Sequence, residues 1–187
     1  MLQALRLYAT LFLRKSRRMN EKSCCFIGHR DINVTDELIK KITDEVIKLI
    51  NSGVNKFLFG SRSDFNSLCH GIVTKIQKEY KNIVRIAYDT KHESSVYESD
   101  RERLEKTYSA ITHKDIKLFG YEIIKCPEKI FNGGKASYIE RNQIMIDESD
   151  YCMFYFDKKY TPKNGRSGTA IAYKYAVRKN KKIINVF

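Results

Sequence analysis

No stretch of this sequence approaches the ~20 consecutive apolar residues that a bilayer-spanning helix requires, so no such helix is expected. Proline is scarce, with two in 187 residues, and there is no low-complexity tract or internal repeat. The five cysteines form an odd set without regular spacing, which argues against a disulfide scaffold. CxxC pairs with regularly spaced histidines are also missing, so no zinc site is expected. Cys24, Cys25, Cys126 and Cys152 lie in or beside apolar runs and Cys69 on a helical face. They read as small buried hydrophobes of a reducing, cytoplasmic protein.

What is present is the composition of a globular domain: 42% hydrophobic and 30% charged residues. The length suffices for one domain with a sizeable core. The formal net charge is +13, and the first 18 residues carry five Lys or Arg and no acid. Elsewhere lysines are scattered through helices beside acids, a basic solvated surface suited to attracting anions more than to tight nucleic-acid binding.

Residues 1–22 read as a basic and apolar N-terminal extension. Leu2, Leu5, Tyr8, Leu11, Phe12 and Leu13 have helical spacing, and Arg14, Lys15, Arg17 and Arg18 follow. A signal peptide has its charges before the apolar run and ends in a cleavage site, and this segment does neither. A helix lying on a membrane surface is one reading. The blander one, an appendage ahead of a start at Met19, is the expectation here.

Residues 23–187 read as a single domain. Ser23 to Ile27 is a short apolar strand, cut off at Gly28-His29-Arg30. A helix follows, capped by Thr35, with Leu38, Ile39, Ile42, Val46, Leu49 and Ile50 inward and Ser52-Gly53 at its end. Lys56 to Phe59 is a second strand, and Gly60-Ser61-Arg62-Ser63-Asp64 its turn into a second helix. Ile83 to Ala87 is a third strand. Residues 88–117 are poorly periodic, with a surface helix expected near Ser99 to Ser109. Tyr121 to Cys126 is a fourth strand, stopped by Pro127, and Glu128 to Ala136 a loop. Then come a helix from about Ser137, an aromatic strand at Tyr151 to Phe156, a polar loop, a helix opened by Ser167-Gly168-Thr169, and a last strand at Lys182 to Val186.

Strands that alternate with helical patterns imply βαβ units, and hence an α/β fold with a mostly parallel sheet. In such a sheet the loops after the strands gather at one edge, where ligands bind. Three turns should meet there: Gly28-His29-Arg30, Gly60 to Asp64, and Gly165 to Thr169. The helix opened by Ser167, Gly168 and Thr169 offers unsatisfied N–H groups to an anion. Arg141 could add a guanidinium, or instead pair with Glu140, Asp147 or Asp150. His29 could bond a phosphate or base, or simply hold its turn. Asp64 could accept from a ribose hydroxyl or cap its helix. Asn142 could orient the loop or read a base. Tyr138, Tyr155 and Tyr160 could stack a base or serve as packing.

Together, Cys25-Phe-Ile-Gly-His-Arg30, Gly60 with Asp64-Phe65, Arg141-Asn142 with Met145, Asp147, Ser149 and Asp150, and Ser167-Gly-Thr169 resemble the SLOG superfamily, closest to its YpsA-like branch. The likeness spans about Cys24 to Phe187. It implies a Rossmann-like three-layer sandwich that binds a nucleotide or nucleotide-derived ligand. The ligand-binding set it suggests is Gly28, His29, Arg30, Gly60, Ser61, Asp64, Arg141, Asn142, Gly165, Ser167, Gly168 and Thr169. Relatives in the superfamily include the LOG phosphoribohydrolases and the single-stranded-DNA-binding protein DprA.

The sequence departs from LOG enzymes where their chemistry resides. Those carry a Pro-Gly-Gly-x-Gly-Thr loop and a catalytic glutamate in the helix beyond it. Here the loop is Asn164 to Thr169, followed by Ala170, Ile171 and Ala172. Ser61 also replaces the second glycine of the expected Gly-Gly pair. Glycosidic cleavage needs a carboxylate or similar base near the ribose, so a sensor or regulatory domain is expected, with no catalytic residues, cofactor or metal. A LOG-like nucleoside 5′-monophosphate hydrolase is the alternative, with Asp64, Glu140 or Asp147 as substitute acids. A single-stranded nucleic-acid module is the second alternative. The expected partner is a nucleotide-derived small molecule. A homo-oligomer is compatible with this reading, and membrane contact would run only through residues 1–18.

Overall fold

The computed structural model describes residues 21–60, 63–90, 123–125, 127–160 and 167–187. Their elements, in chain order, are β1 (Lys22–Gly28), α1 (Asp36–Asn51), β2 (Val54–Phe59), α2 (Asp64–Gln77), β3 (Val84–Tyr88) and β4 (Ile123–Lys125). After these come α3 (Glu128–Phe131), a 3₁₀ turn (Gly134–Ala136), α4 (Ser137–Asp147), β5 (Tyr151–Tyr155), α5 (Gly168–Arg178) and β6 (Lys182–Asn185). The six strands form one sheet in the order β4-β3-β2-β1-β5-β6, and every pairing is parallel.

Successive strand residues point to opposite faces, and here both faces are apolar, as expected of a parallel sheet covered on two sides. Cys24, Phe26, Phe57, Phe59 and Met153 pack with Ile42 and Val46 of α1 and Phe65, Cys69 and Val73 of α2. Cys25, Ile27, Leu58, Ile86, Cys152 and Phe154 pack with Ile130 of α3, Met145 and Ile146 of α4, and Ala172 and Ala176 of α5. The result is a Rossmann-like three-layer sandwich, with β1 in its centre.

Local chemistry sets the element ends. Thr35 Oγ1 accepts from the Leu38 N–H at 3.2 Å and so caps α1. Gly53, at φ +95°, takes the left-handed conformation just beyond that helix. Ser23 and Asp150 tie the entrances of β1 and β5 together: Asp150 Oδ2 accepts from the Ser23 N–H at 2.8 Å and from its hydroxyl at 3.1 Å. At the far side, Lys125 Nζ donates to Tyr88 Oη at 2.9 Å and to Glu148 Oε2 at 2.7 Å. The Tyr88 hydroxyl itself donates to that Glu148 oxygen, so β3, β4 and the end of α4 are joined. Burial first, and Glu148 second, push the Tyr88 phenol well above its ordinary pKa.

The stretch from Glu128 to Ala136 is not the loop its sequence suggests, because α3 and the 3₁₀ turn occupy most of it. Both are too short for periodicity to reveal, and what anchors them is Ile130, fully buried against the sheet. The helix expected near Ser99 to Ser109 lies outside the described residues, as do residues 1–20, Tyr121, Glu122 and Cys126.

Candidate functional site

In the strand order, β2 lies on one side of β1 and β5 on the other. The chain leaving β1 runs to α1 on one face, while the chain leaving β5 runs to α5 on the opposite face. That divergence makes the carboxyl ends of β1 and β5 the topological switch point of the sheet, where a ligand crevice usually lies in open α/β folds. Gly28 and Tyr155 are register partners at its floor.

His29 clamps the two sides. Its backbone N–H donates to the Tyr155 carbonyl at 3.4 Å. Its Nε2 accepts from the Asp157 N–H at 3.1 Å, so the first residue beyond β1 is tied to the second beyond β5. The ring is only 4% exposed, and burial lowers its pKa against the opposing pull of the Asp157 carboxylate. A neutral imidazole with its proton on Nδ1 fits that bond. Through Nε2, His29 fills the turn-holding role that the sequence offered for it.

Beyond the clamp, Asp157 builds a compact turn. Its Oδ1 accepts from the Lys159 N–H at 2.8 Å, and its carbonyl accepts from the Tyr160 N–H at 3.3 Å. Tyr160 thereby comes to rest over the His29 ring, with centroids 4.2 Å apart and planes at 39°.

On the other side of β1, the Asp64 N–H donates to the Arg30 carbonyl at 2.7 Å, which brings the loops after β1 and β2 together. Both side chains are exposed. Asp64 does not cap α2. That role belongs to Ser63, whose Oγ accepts from the Asn66 N–H at 3.2 Å, and Asp64 stands in the first turn. Asn66, which the sequence gave no reason to select, is the hub of this corner. Its Oδ1 accepts from the Gly60 N–H at 3.2 Å, and its Nδ2 donates to the Phe26 carbonyl at 3.0 Å. An asparagine in a helix's first turn, beside a serine cap, was the only available hint.

The two glycines are required by side-chain packing. A Cβ on Gly28 would lie 2.5 Å from Phe65 Cγ. A Cβ on Gly60 would strike the Met145 sulfur and approach Arg141 Cδ to 2.9 Å. Arg141 is therefore pressed against the end of β2, 2% exposed, with its guanidinium carbon 5.1 Å from the Tyr138 ring centroid. The three carboxylates expected to compete for it each engage another group. Glu140 meets Lys129 at 3.0 Å, Asp147 meets Lys179 at 3.2 Å, and Asp150 holds Ser23.

The third turn delivers the helix end expected of it. Ser167 caps α5, its Oγ accepting from the Ala170 N–H at 3.1 Å. Gly168 is exposed, a Cβ there would meet nothing within 4 Å, and Thr169 is buried. Asn142 is half-buried on α4, beside Arg141. Ser61 and Gly165 lie outside the described residues.

The chain matches no family model and no curated protein. One exposed arginine, one exposed aspartate, a capped helix terminus and a buried arginine share an edge with a neutral, immobilised histidine. Among the described residues no cluster of His, Cys, Asp or Glu could hold a metal ion. No described helix is long and apolar enough to cross a membrane.

Proposed function

We propose that this chain binds a nucleotide or nucleotide-derived ligand in the crevice between the ends of β1 and β5, as a sensor or regulatory domain that does not turn the ligand over. The observation that carries the proposal is the reversal of strand order at β1. It brings the loops after β1, β2 and β5 to one edge, with Arg30, Asp64 and the Ser167-capped end of α5 among them. The likeness to the SLOG superfamily supports the same ligand class.

Each group has a role suited to such a ligand. The first N–H groups of α5 and the Arg30 guanidinium receive a phosphate. The Asp64 carboxylate accepts from a ribose hydroxyl. Arg141 fixes the floor beneath Gly60, and the surplus of positive charge over the whole chain favours the approach of anions. The absence of a carboxylate from α5, whose sequence is GTAIAYKYAVR, favours binding over glycosidic cleavage.

The test is a thermal-shift panel on the full chain with nucleoside monophosphates, NAD, ADP-ribose and cyclic nucleotides, with released base measured in the same wells. A ligand that binds only the folded state stabilises it by about 2.7 kcal/mol at 100-fold excess over Kd, and so raises Tm. A shift without base release is expected. Arg30→Ala, exposed and joined to the fold through its backbone, should lower affinity about ten-fold or more with the unliganded Tm preserved. Base release would overturn the sensor reading in favour of a hydrolase. No shift with any nucleotide would overturn the binding reading itself.

A further inference from the structure

We infer that the ligand of this crevice is recognised through a flat aromatic ring, a nucleobase stacked on the outward face of Tyr160. This rests on the crevice being the binding site and adds which part of the ligand is read there.

Tyr160 is a large aromatic side chain left 42% exposed, yet its surroundings fix its position. The Asp157 turn holds its backbone, through the Tyr160 N–H to the Asp157 carbonyl at 3.3 Å and the Lys159 N–H to Asp157 Oδ1 at 2.8 Å. One ring face lies over His29 at 4.2 Å. His29 is in turn locked by its bond from the Asp157 N–H and stands near Tyr155 and Phe156, at 6.2 and 6.1 Å between centroids. Phe156 continues the layer to Tyr173 of α5, at 4.7 Å. A ring backed in this way has already given up most of its motion. Stacking on its free face therefore costs little further entropy, which is what makes an aromatic side chain an efficient platform.

The Asp157 turn starts two residues beyond the end of β5, one of the two strands that bound the crevice, and His29 immediately follows the other. A ligand whose phosphate lies at the end of α5 or at Arg30 has this turn beside it. Stacking tolerates any base, because each has a π face, so the platform calls for a base-bearing ligand without choosing the base.

Calorimetry on the full chain would use AMP, GMP, CMP and UMP as base-bearing probes and ribose 5-phosphate as the base-free one. The wild-type chain should bind at least one nucleotide more tightly than ribose 5-phosphate. Tyr160→Leu should weaken that nucleotide about ten-fold or more, leave ribose 5-phosphate unchanged and keep the unliganded Tm. Tyr160→Phe, which retains the ring, should bind like wild type. If Tyr160→Leu leaves nucleotide affinity unchanged, or weakens both probes equally, the platform is overturned while the crevice stands. If the wild-type chain binds neither nucleotides nor ribose 5-phosphate, the crevice reading fails and takes the platform with it.

Discussion

His29 contributes through a lone pair, and that makes its contribution sensitive to acid. The folded chain holds the ring neutral, with its pKa below the ordinary 6.5 because of burial. The unfolded chain therefore binds a proton more readily, and stability rises with pH across that range. The His29 contribution is fully present above about pH 6.5 and is lost as pH falls from there through the lowered folded value. Urea unfolding at pH 7.5 and 5.5 checks this, with His29→Gln, whose amide oxygen can still accept from Asp157, as the non-titrating reference. The wild-type chain should lose more stability than the variant, and equal losses would remove His29 as the source. Gly28 makes the complementary point. The sequence suggested a glycine chosen for its turn, but Phe65 occupies the space where a Cβ would stand. Gly28→Ala should cost about 1–3 kcal/mol in the same unfolding assay, the usual range for overpacking. That requirement comes from a helix 37 positions away in the chain, so no local pattern could have disclosed it.

The longer elements were legible in the sequence because their signals are local and repeated. Thr35, the 3.6-residue spacing of Leu38, Ile42, Val46 and Leu49, and Gly53 mark α1 at both ends. The β5 run is bounded by Asp150 and Asp157, and Ser167 announces α5. Resolution failed where one residue decides, as between Ser63 and Asp64, and where an element has a single anchor, as Ile130 in α3. The crevice was legible only as an edge: strand alternation predicts which loops meet, but not that His29 bonds Asp157 or that Asn66 bridges Phe26 and Gly60. At this scale Ser167 can be tested directly. Ser167→Ala removes the acceptor for the Ala170 N–H and should cost about 1 kcal/mol. If the end of α5 receives the phosphate, calorimetry should also show weaker nucleotide binding.

Across the whole molecule, the strand order that makes the crevice also sets how far apart the contacting parts lie in the chain. The bond from the Ser23 N–H to Asp150 joins residues 127 positions apart, and β1 finds β5 only across that distance. A chain ending at Glu148 lacks β5, α5 and β6, and with them the strand beside β1 and the share of the cover over Cys25 and Ile27 that Ala172 and Ala176 supply. Limited proteolysis of ribosome-stalled chains should find it cleaved readily, with protection appearing only in chains long enough to expose β6. An early resistant core would show that the first four strands fold by themselves. At about 5–20 residues per second, translation takes roughly 6–25 s to supply β5 after β1 has been made. For that interval the strand destined for the middle of the sheet has an open, apolar edge of the kind that recruits other chains. The order of the strands thus leaves the newborn chain exposed to wrong pairings until about its last fifth arrives.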